Sequence, residues 1–258
     1  MPTVIISGAK LFYRDEGEGQ PLLLIHAFPL NSMMWESQIA ALAPSMRVIA
    51  PDLPGFGHSN YASGDSSLDR YADTLISLLD HLEIDHAAIA GLSMGGYTAL
   101  ALLRRHPQRI SALVLADTKA GADSDEAKAK RAENAEIAMS QGQAALAERL
   151  LPTLLSPAAP AQLIDQVREL IRANSREGIA AALRAMARRP DSTDLLAGIT
   201  VPTAVIVGER DTVTPLAEAE KLVAAIPGAS LSVIPGAGHL ANLEQPEAFN
   251  LALIAALK

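Results

Sequence analysis

The chain has 258 residues, 21 Lys and Arg against 29 Asp and Glu for a formal net charge of −8, and no cysteine. That balance speaks against a nucleic-acid partner, which needs clustered cations for phosphate, and the missing thiols exclude disulfides, thiolate metal sites and a cysteine nucleophile. A hydrophobic share of 49% is that of a folded chain, long enough for one α/β domain with an insertion.

Residues 1–8 read as a first strand, paired through Ser7-Gly8-Ala9 with residues 10–14. They show no basic leader before an apolar stretch, and no run approaches the roughly 18 apolar residues a membrane span needs. No membrane association and a cytoplasmic location are therefore expected. Residues 22–25 (Leu-Leu-Leu-Ile) form a continuous apolar run, as in a strand covered on both faces. It ends in His26-Ala27-Phe28-Pro29. A strand over 47–50 leads into the glycine- and proline-rich turn 51–59. The apolar run 86–90 leads into Gly91-Leu92-Ser93-Met94-Gly95 and a helix-like segment over 96–103. Up to the strand at 113–116, strands and helices alternate, which predicts a mostly parallel sheet with helices on both faces.

From about residue 119 to 197 the pattern is helical alone: 125–140, 143–151 up to Pro152, then, after a proline-marked break at 156–160, 161–173 and 176–189. Alternation resumes with a strand at 201–207, followed by Gly208-Glu209-Arg210-Asp211. A short strand at 229–234 then runs into Pro235-Gly236-Ala237-Gly238-His239. The expected organisation is a core over 1–117 and 198–258 with a helical cap, 118–197, inserted after the sixth strand.

A G-x-S-x-G between strand and helix is the nucleophile-elbow pattern. The turn is tight enough to demand small residues, here Gly91, Gly95 and Gly96, and the helix N-terminus behind Ser93 offers a free N–H and partial positive charge. A serine hydroxyl attacks only when a base takes its proton and an acid orients that base. His239 and Asp211 are the candidates, each just past a strand end, where open parallel sheets bind ligands. Asp117 also ends a strand, but Asp211 shares the segment leading to the histidine strand and is preferred. Glu209 starts two residues early. Asp52 reads as a turn residue satisfying backbone N–H groups, and His26 and His58 as structural. His81, His86 and His106 fall at element ends and are expected to face solvent. The backbone N–H groups of Phe28 and Met94 are the candidate pair for an oxyanion.

With these residues the chain resembles the α/β-hydrolase superfamily, in particular the cap-bearing bacterial serine esterases and lactonases related to 3-oxoadipate enol-lactonase. The resemblance implies an α/β fold with a mostly parallel eight-stranded sheet flanked by helices. Ala27 departs from the H-G-x-P such proteins usually carry in the oxyanion loop. The reading is hydrolysis of a small-molecule ester or lactone through a Ser93–His239–Asp211 acyl-enzyme mechanism, with no metal and no cofactor. Carbon–carbon bond hydrolysis, cofactor-free haloperoxidase or perhydrolase chemistry, and a ligand-sensing receptor are the alternatives on the same three residues. Leu30, Met139, Met186 and Leu240 are expected to line a mainly apolar substrate pocket. If the substrate were an anionic lactone, as the resemblance implies, one of Arg131, Arg149, Arg168, Arg172, Arg184 or Arg188 would face it. The arginines at 168, 172, 176, 184, 188 and 189 otherwise read mostly as solvated helix faces.

Overall fold

The computed structural model describes residues 2–61 and 66–257. Short apolar runs make the strands, and their burial on both faces dictates the layers. β1 (Thr3–Ile6) and β2 (Ala9–Glu16) form the antiparallel hairpin that the Ser7-Gly8 turn implies. β3 (Gln20–Ile25), β4 (Met46–Pro51), β5 (Ala87–Leu92), β6 (Ile110–Ala116), β7 (Thr203–Gly208) and β8 (Ser230–Ile234) complete one eight-stranded sheet. Its order is β1-β2-β4-β3-β5-β6-β7-β8. β2 runs antiparallel to β4, and every pairing from β4 to β8 is parallel. β5 and β7 are buried at every residue, as central strands sandwiched between helices must be.

The flanking helices are α1 (Glu36–Leu42), α2 (Leu68–His81) and α3 (Met94–Arg105) before β6. Between β6 and β7 the chain folds into α4 (Asp125–Ser140), α5 (Gln143–Leu154), α6 (Ala161–Arg172), α7 (Arg176–Ala187) and the short α8 (Thr193–Leu196). α9 (Leu216–Ala225), α10 (Ala241–Glu244) and α11 (Pro246–Ala256) follow. Side-chain caps set three of the starts: Ser67 accepts from the Arg70 N–H, Ser124 from the Ala127 N–H and Ser175 from the Gly178 N–H.

The end of α5 differs from expectation. α5 does not stop at Pro152 but continues to Leu154. An interior proline forfeits its bond to the carbonyl four residues back, at a cost of about 3 kcal/mol. Leu151 and Leu154 offset it by burial, and the Leu155 N–H closes the last turn on Leu151 O at 3.2 Å. The helical block from α4 to α8 does not stand apart. Ala135, Leu146, Ile179 and Met186 share one apolar core with Leu53, Phe56 and Ile89, while Leu151, Leu154 and Ile171 share the other with Leu30, Met34 and Leu240. Among the described residues no helix is long and apolar enough to cross a membrane.

Candidate active site

Backbone crowding builds the turn at Ser93. A Cβ on Gly91 would lie 2.2 Å from the Gly95 carbonyl oxygen, and one on Gly95 would lie 2.1 Å from that of Ile25. Ser93 itself sits at φ 55°, ψ −111°, a conformation costing a non-glycine residue about 1–3 kcal/mol. The surroundings enforce it: the Ser93 N–H donates to Ala116 O at 2.9 Å, and Thr118 Oγ1 donates to Ser93 O at 2.9 Å.

His239 follows β8 and is buried with its Nε2 2.9 Å from Ser93 Oγ. Its Nδ1 lies 2.8 Å from Asp211 Oδ2. A carboxylate only accepts, so Nδ1 carries the proton and Nε2 is left to accept from the serine hydroxyl. Asp211 is held in turn: Oδ1 accepts the N–H groups of Val213 (2.7 Å) and Thr214 (3.0 Å), and Oδ2 accepts Thr214 Oγ1 at 2.6 Å. Burial by itself raises the pKa of the Asp211 carboxyl, but the His239 charge and the His239 and Thr214 hydrogen bonds outweigh it and hold the group below its usual value.

Asp117 ends β6 at φ 43° and makes no bond to His239 among the described residues. Its Oδ1 accepts the Gly208 N–H at 2.7 Å and its Oδ2 is buried without a partner. Burial first, and the Asp211 charge second, push its pKa well above the carboxylate range. The other competitors have structural duties. His26 is fully buried; its Nδ1–H donates to Ala27 O (3.0 Å), its Nε2 accepts the Leu53 N–H (3.0 Å), and burial pushes its pKa down. Asp52 accepts the N–H groups of Ser32 and His58, each at 2.8 Å. The His58 ring packs against Phe12, centroids 5.0 Å apart.

Met94 opens α3, so its N–H has no intrahelical acceptor. The Phe28 N–H has none among the described residues. Ala27 avoids the positive φ that would favour glycine, so its departure from H-G-x-P needs no left-handed backbone.

Ser93 and His239 open into a cavity of about 390 Å³. Phe28, Tyr97 and Met186 line it, but Leu30, Leu240 and Met139 do not. Leu30 and Leu240 are wholly buried in the apolar core instead. Met139 is 37% exposed, because the face of α4 turned to the cavity is Ala127, Lys130, Arg131 and Asn134, at helical spacing, and Met139 lies off that stripe. The expected apolar lining is thus corrected to a mixed one.

Its charged part converges on Asp123, whose side chain is 1% exposed. Arg131 donates to Asp123 through Nε, Arg189 Nη1 lies 2.8 Å from Oδ1, and Lys119 Nζ lies 3.8 Å from Oδ1. Burial raises the pKa of Asp123, yet the two arginines bring it below its usual value. Arg189 also stacks 4.1 Å over the Tyr97 ring and is buried, unlike the solvated arginine the sequence suggests. Of the six arginine candidates, Arg131 lines the cavity. Arg149, Arg168 and Arg172 pair with surface carboxylates instead.

Residues that sequence reasoning missed are the supports. Asn174 donates to Pro29 O (2.7 Å) and accepts the Gly57 N–H (2.7 Å), joining the helical block to two loops beside the site. Tyr97, Lys119, Asp123, Asn134 and Thr214 carry no motif at all, and no local pattern marks them. Among the described residues no group of three or more His, Asp or Glu side chains is placed to hold a metal ion.

The model of a family described as alpha/beta hydrolase fold matches residues 20–246. The 3-oxoadipate enol-lactonase 2 of Acinetobacter baylyi is 32% identical, covering 99% of this chain and 96% of its own. Among solved structures, a thermophilic esterase from Thermogutta terrifontis, with malate bound, superposes with a TM-score of 0.94 at 40% identity over 99% of this chain and 96% of its own. The enol-lactonase from Burkholderia xenovorans LB400 superposes with a TM-score of 0.91 at 31% identity over 99% of each chain.

Proposed function

The chain belongs to the α/β-hydrolase family, and within it we propose a serine hydrolase that cleaves carboxylic esters or lactones of small molecules bearing a carboxylate group. The observation that carries the reading is the unbroken relay at the cavity floor, Ser93 Oγ to His239 Nε2 at 2.9 Å and His239 Nδ1 to Asp211 Oδ2 at 2.8 Å. Residues 118–197 act as the cap over it.

Ser93 Oγ attacks the carbonyl carbon as its proton passes to His239 Nε2. Asp211, ionised because its pKa is held low, stabilises the imidazolium. The N–H groups of Met94 and Phe28 receive the oxyanion. Collapse expels the alcohol, which takes the proton from His239, and the acyl group stays on Ser93. A water then gives its proton to the same nitrogen, attacks the acyl carbon and releases the acid, returning the proton to Ser93.

The carboxylate preference rests on charge. Lys119, Arg131 and Arg189 share the single carboxylate of Asp123 at the cavity wall, an excess of two positive charges. Asp211, the acid of the relay, is turned to His239 and Thr214. The relatives named for enol-lactones and esters support the bond type, and malate in the Thermogutta terrifontis esterase is itself a dicarboxylate.

The test is steady-state hydrolysis of p-nitrophenyl acetate and butyrate, the p-nitrophenyl hemiester of succinate and a small lactone panel. Turnover is expected for wild type, with kcat/KM about tenfold higher for the hemiester than for butyrate, about 1.4 kcal/mol of preference. Ser93→Ala abolishes it, given a cost near 10⁶-fold for a triad serine elsewhere, and Asp211→Asn costs on the order of 10⁴-fold. Turnover that survives in Ser93→Ala overturns the mechanism, and equal rates on hemiester and butyrate overturn the carboxylate preference.

A further inference from the structure

The loop carrying His239 is gripped from two directions. On the sheet side, the Arg210 N–H donates to Ala237 O at 2.8 Å and the Gly236 N–H to Glu209 Oε2 at 2.7 Å, so the acid and base loops are bonded to each other. On the other side the loop is tied to the helical block. The Leu240 N–H donates to Leu154 O at the end of α5 at 3.1 Å. Glu244, in α10, then accepts from both parties: Oε1 takes the Gly238 N–H at 2.8 Å and Oε2 takes the Ser156 N–H at 2.9 Å.

Gly238 immediately precedes His239. Ser156 follows Leu155, the C-cap of α5, and that helix supplies Leu150, Thr153 and Leu154 to the cavity wall. A single carboxylate therefore clamps the loop of the base to the wall around the substrate. The approach is close, since a Cβ on Gly238 would lie 2.7 Å from Ser156 N and 3.0 Å from the Leu155 carbonyl carbon.

We infer that Glu244 is a positioning residue of the reaction, fixing His239 against Ser93 through Gly238 and coupling that placement to the helical wall through Ser156. This rests on the serine-hydrolase reading above. Glu244 does not line the cavity, so it acts through His239. The role needs two acceptors on one side chain. An ionised carboxylate supplies them, whereas a glutamine supplies one acceptor and sets an NH₂ against the other N–H. The reacting nitrogen and oxygen are sensitive to such a fault, since a misplacement of about 1 Å costs on the order of 100-fold in rate.

Glu244→Gln and Glu244→Ala are compared with wild type in three measurements. Rate constants are expressed per active site, titrated with a serine-reactive phosphonate. The Nδ1 proton of His239 is followed as a downfield resonance in the ¹H NMR spectrum, and folding by circular dichroism. The expected result is a graded fall in kcat per titrated site, about 10-fold for Gln and nearer 100-fold for Ala. KM changes little, the His239 resonance shifts or broadens, and the dichroism spectrum of the Gln variant is that of wild type. Wild-type kcat and an unmoved resonance in Glu244→Gln overturn the inference. So does a loss confined to the number of titratable sites, with the surviving sites working at the wild-type rate. Should Glu244→Ala fail to fold, the isosteric Gln variant decides alone. A wild type inert to every ester and to the phosphonate would instead sink the hydrolase reading, and the His239 resonance would still decide whether Glu244 holds the ring.

Discussion

Asp117 and Asp211 end neighbouring strands and are both buried, yet their surroundings drive their protons in opposite directions. Asp211 has an imidazole, a hydroxyl and two N–H groups to stabilise its charge. Asp117 has backbone N–H groups on one oxygen only, and the charge of Asp211 beside it. A pair of adjacent carboxylates cannot both ionise cheaply, and here the one facing His239 keeps the charge. The linkage for Asp117 follows from the sign of its shift. Its pKa in the fold exceeds the unfolded value of about 3.9, so between the two values the folded state binds more protons and stability declines as pH rises. Asparagine is neutral at every pH, and its carbonyl can still accept the Gly208 N–H. Asp117→Asn is therefore expected to gain stability relative to wild type as pH rises from about 4, read by urea unfolding at acid, neutral and mildly alkaline pH. A difference in unfolding free energy that stays flat with pH would show that Asp117 is not held protonated by the fold.

The element on which the proposed carboxylate preference depends is α4. Its alanines Ala135 and Ala138 are buried in the core that also takes Ala180, Ala182 and Ala185 of α7, and small residues let two helices approach closely. That seam turns Ala127, Lys130, Arg131 and Asn134 toward Ser93. The span of the helix, 125–140, is legible in the sequence, but its rotation is not. Lys128, Lys130 and Arg131 are equivalent to any composition argument, and the docking against α7 decides which of them faces the cavity. Arg131→Gln isolates the effect, because Asp123 keeps Arg189 at 2.8 Å and is not left as an unpaired buried charge. The variant is expected to lose about tenfold in kcat/KM on the succinate hemiester and almost nothing on butyrate, at near-wild-type thermal stability. Equal losses on both substrates would mean that Arg131 shapes the cavity without recognising charge.

Across the whole molecule, what the sequence made legible is what local chemistry dictates: the apolar runs of β3, β5 and β7, the glycines packed around Ser93, and the order of serine, acid and histidine at strand ends. What it concealed depends on segments far apart in the chain. Leu30 and Leu240 follow functional loops and look like pocket residues, yet the packing of the helical block over them makes them core. Arg189 looks like one more surface arginine until Tyr97 and Asp123 meet it. The same long-range packing bears on stability. Sequence pattern divides the chain into a core and an inserted block, but both apolar cores run without a break from the sheet into that block. A block with no core of its own has nothing to hold it together once the sheet opens, so the two are expected to unfold together. The single tryptophan, Trp35, gives a clean reporter for the sheet side: it is 1% exposed and packs against Phe249, centroids 6.1 Å apart. Far-UV circular dichroism reports on all the helices, those of the block included. Urea curves from Trp35 fluorescence, dichroism and residual esterase activity are expected to share one midpoint. A dichroism or activity transition that precedes the Trp35 transition would show that the helical block melts first, and that the shared cores do not bind it to the sheet as one cooperative unit.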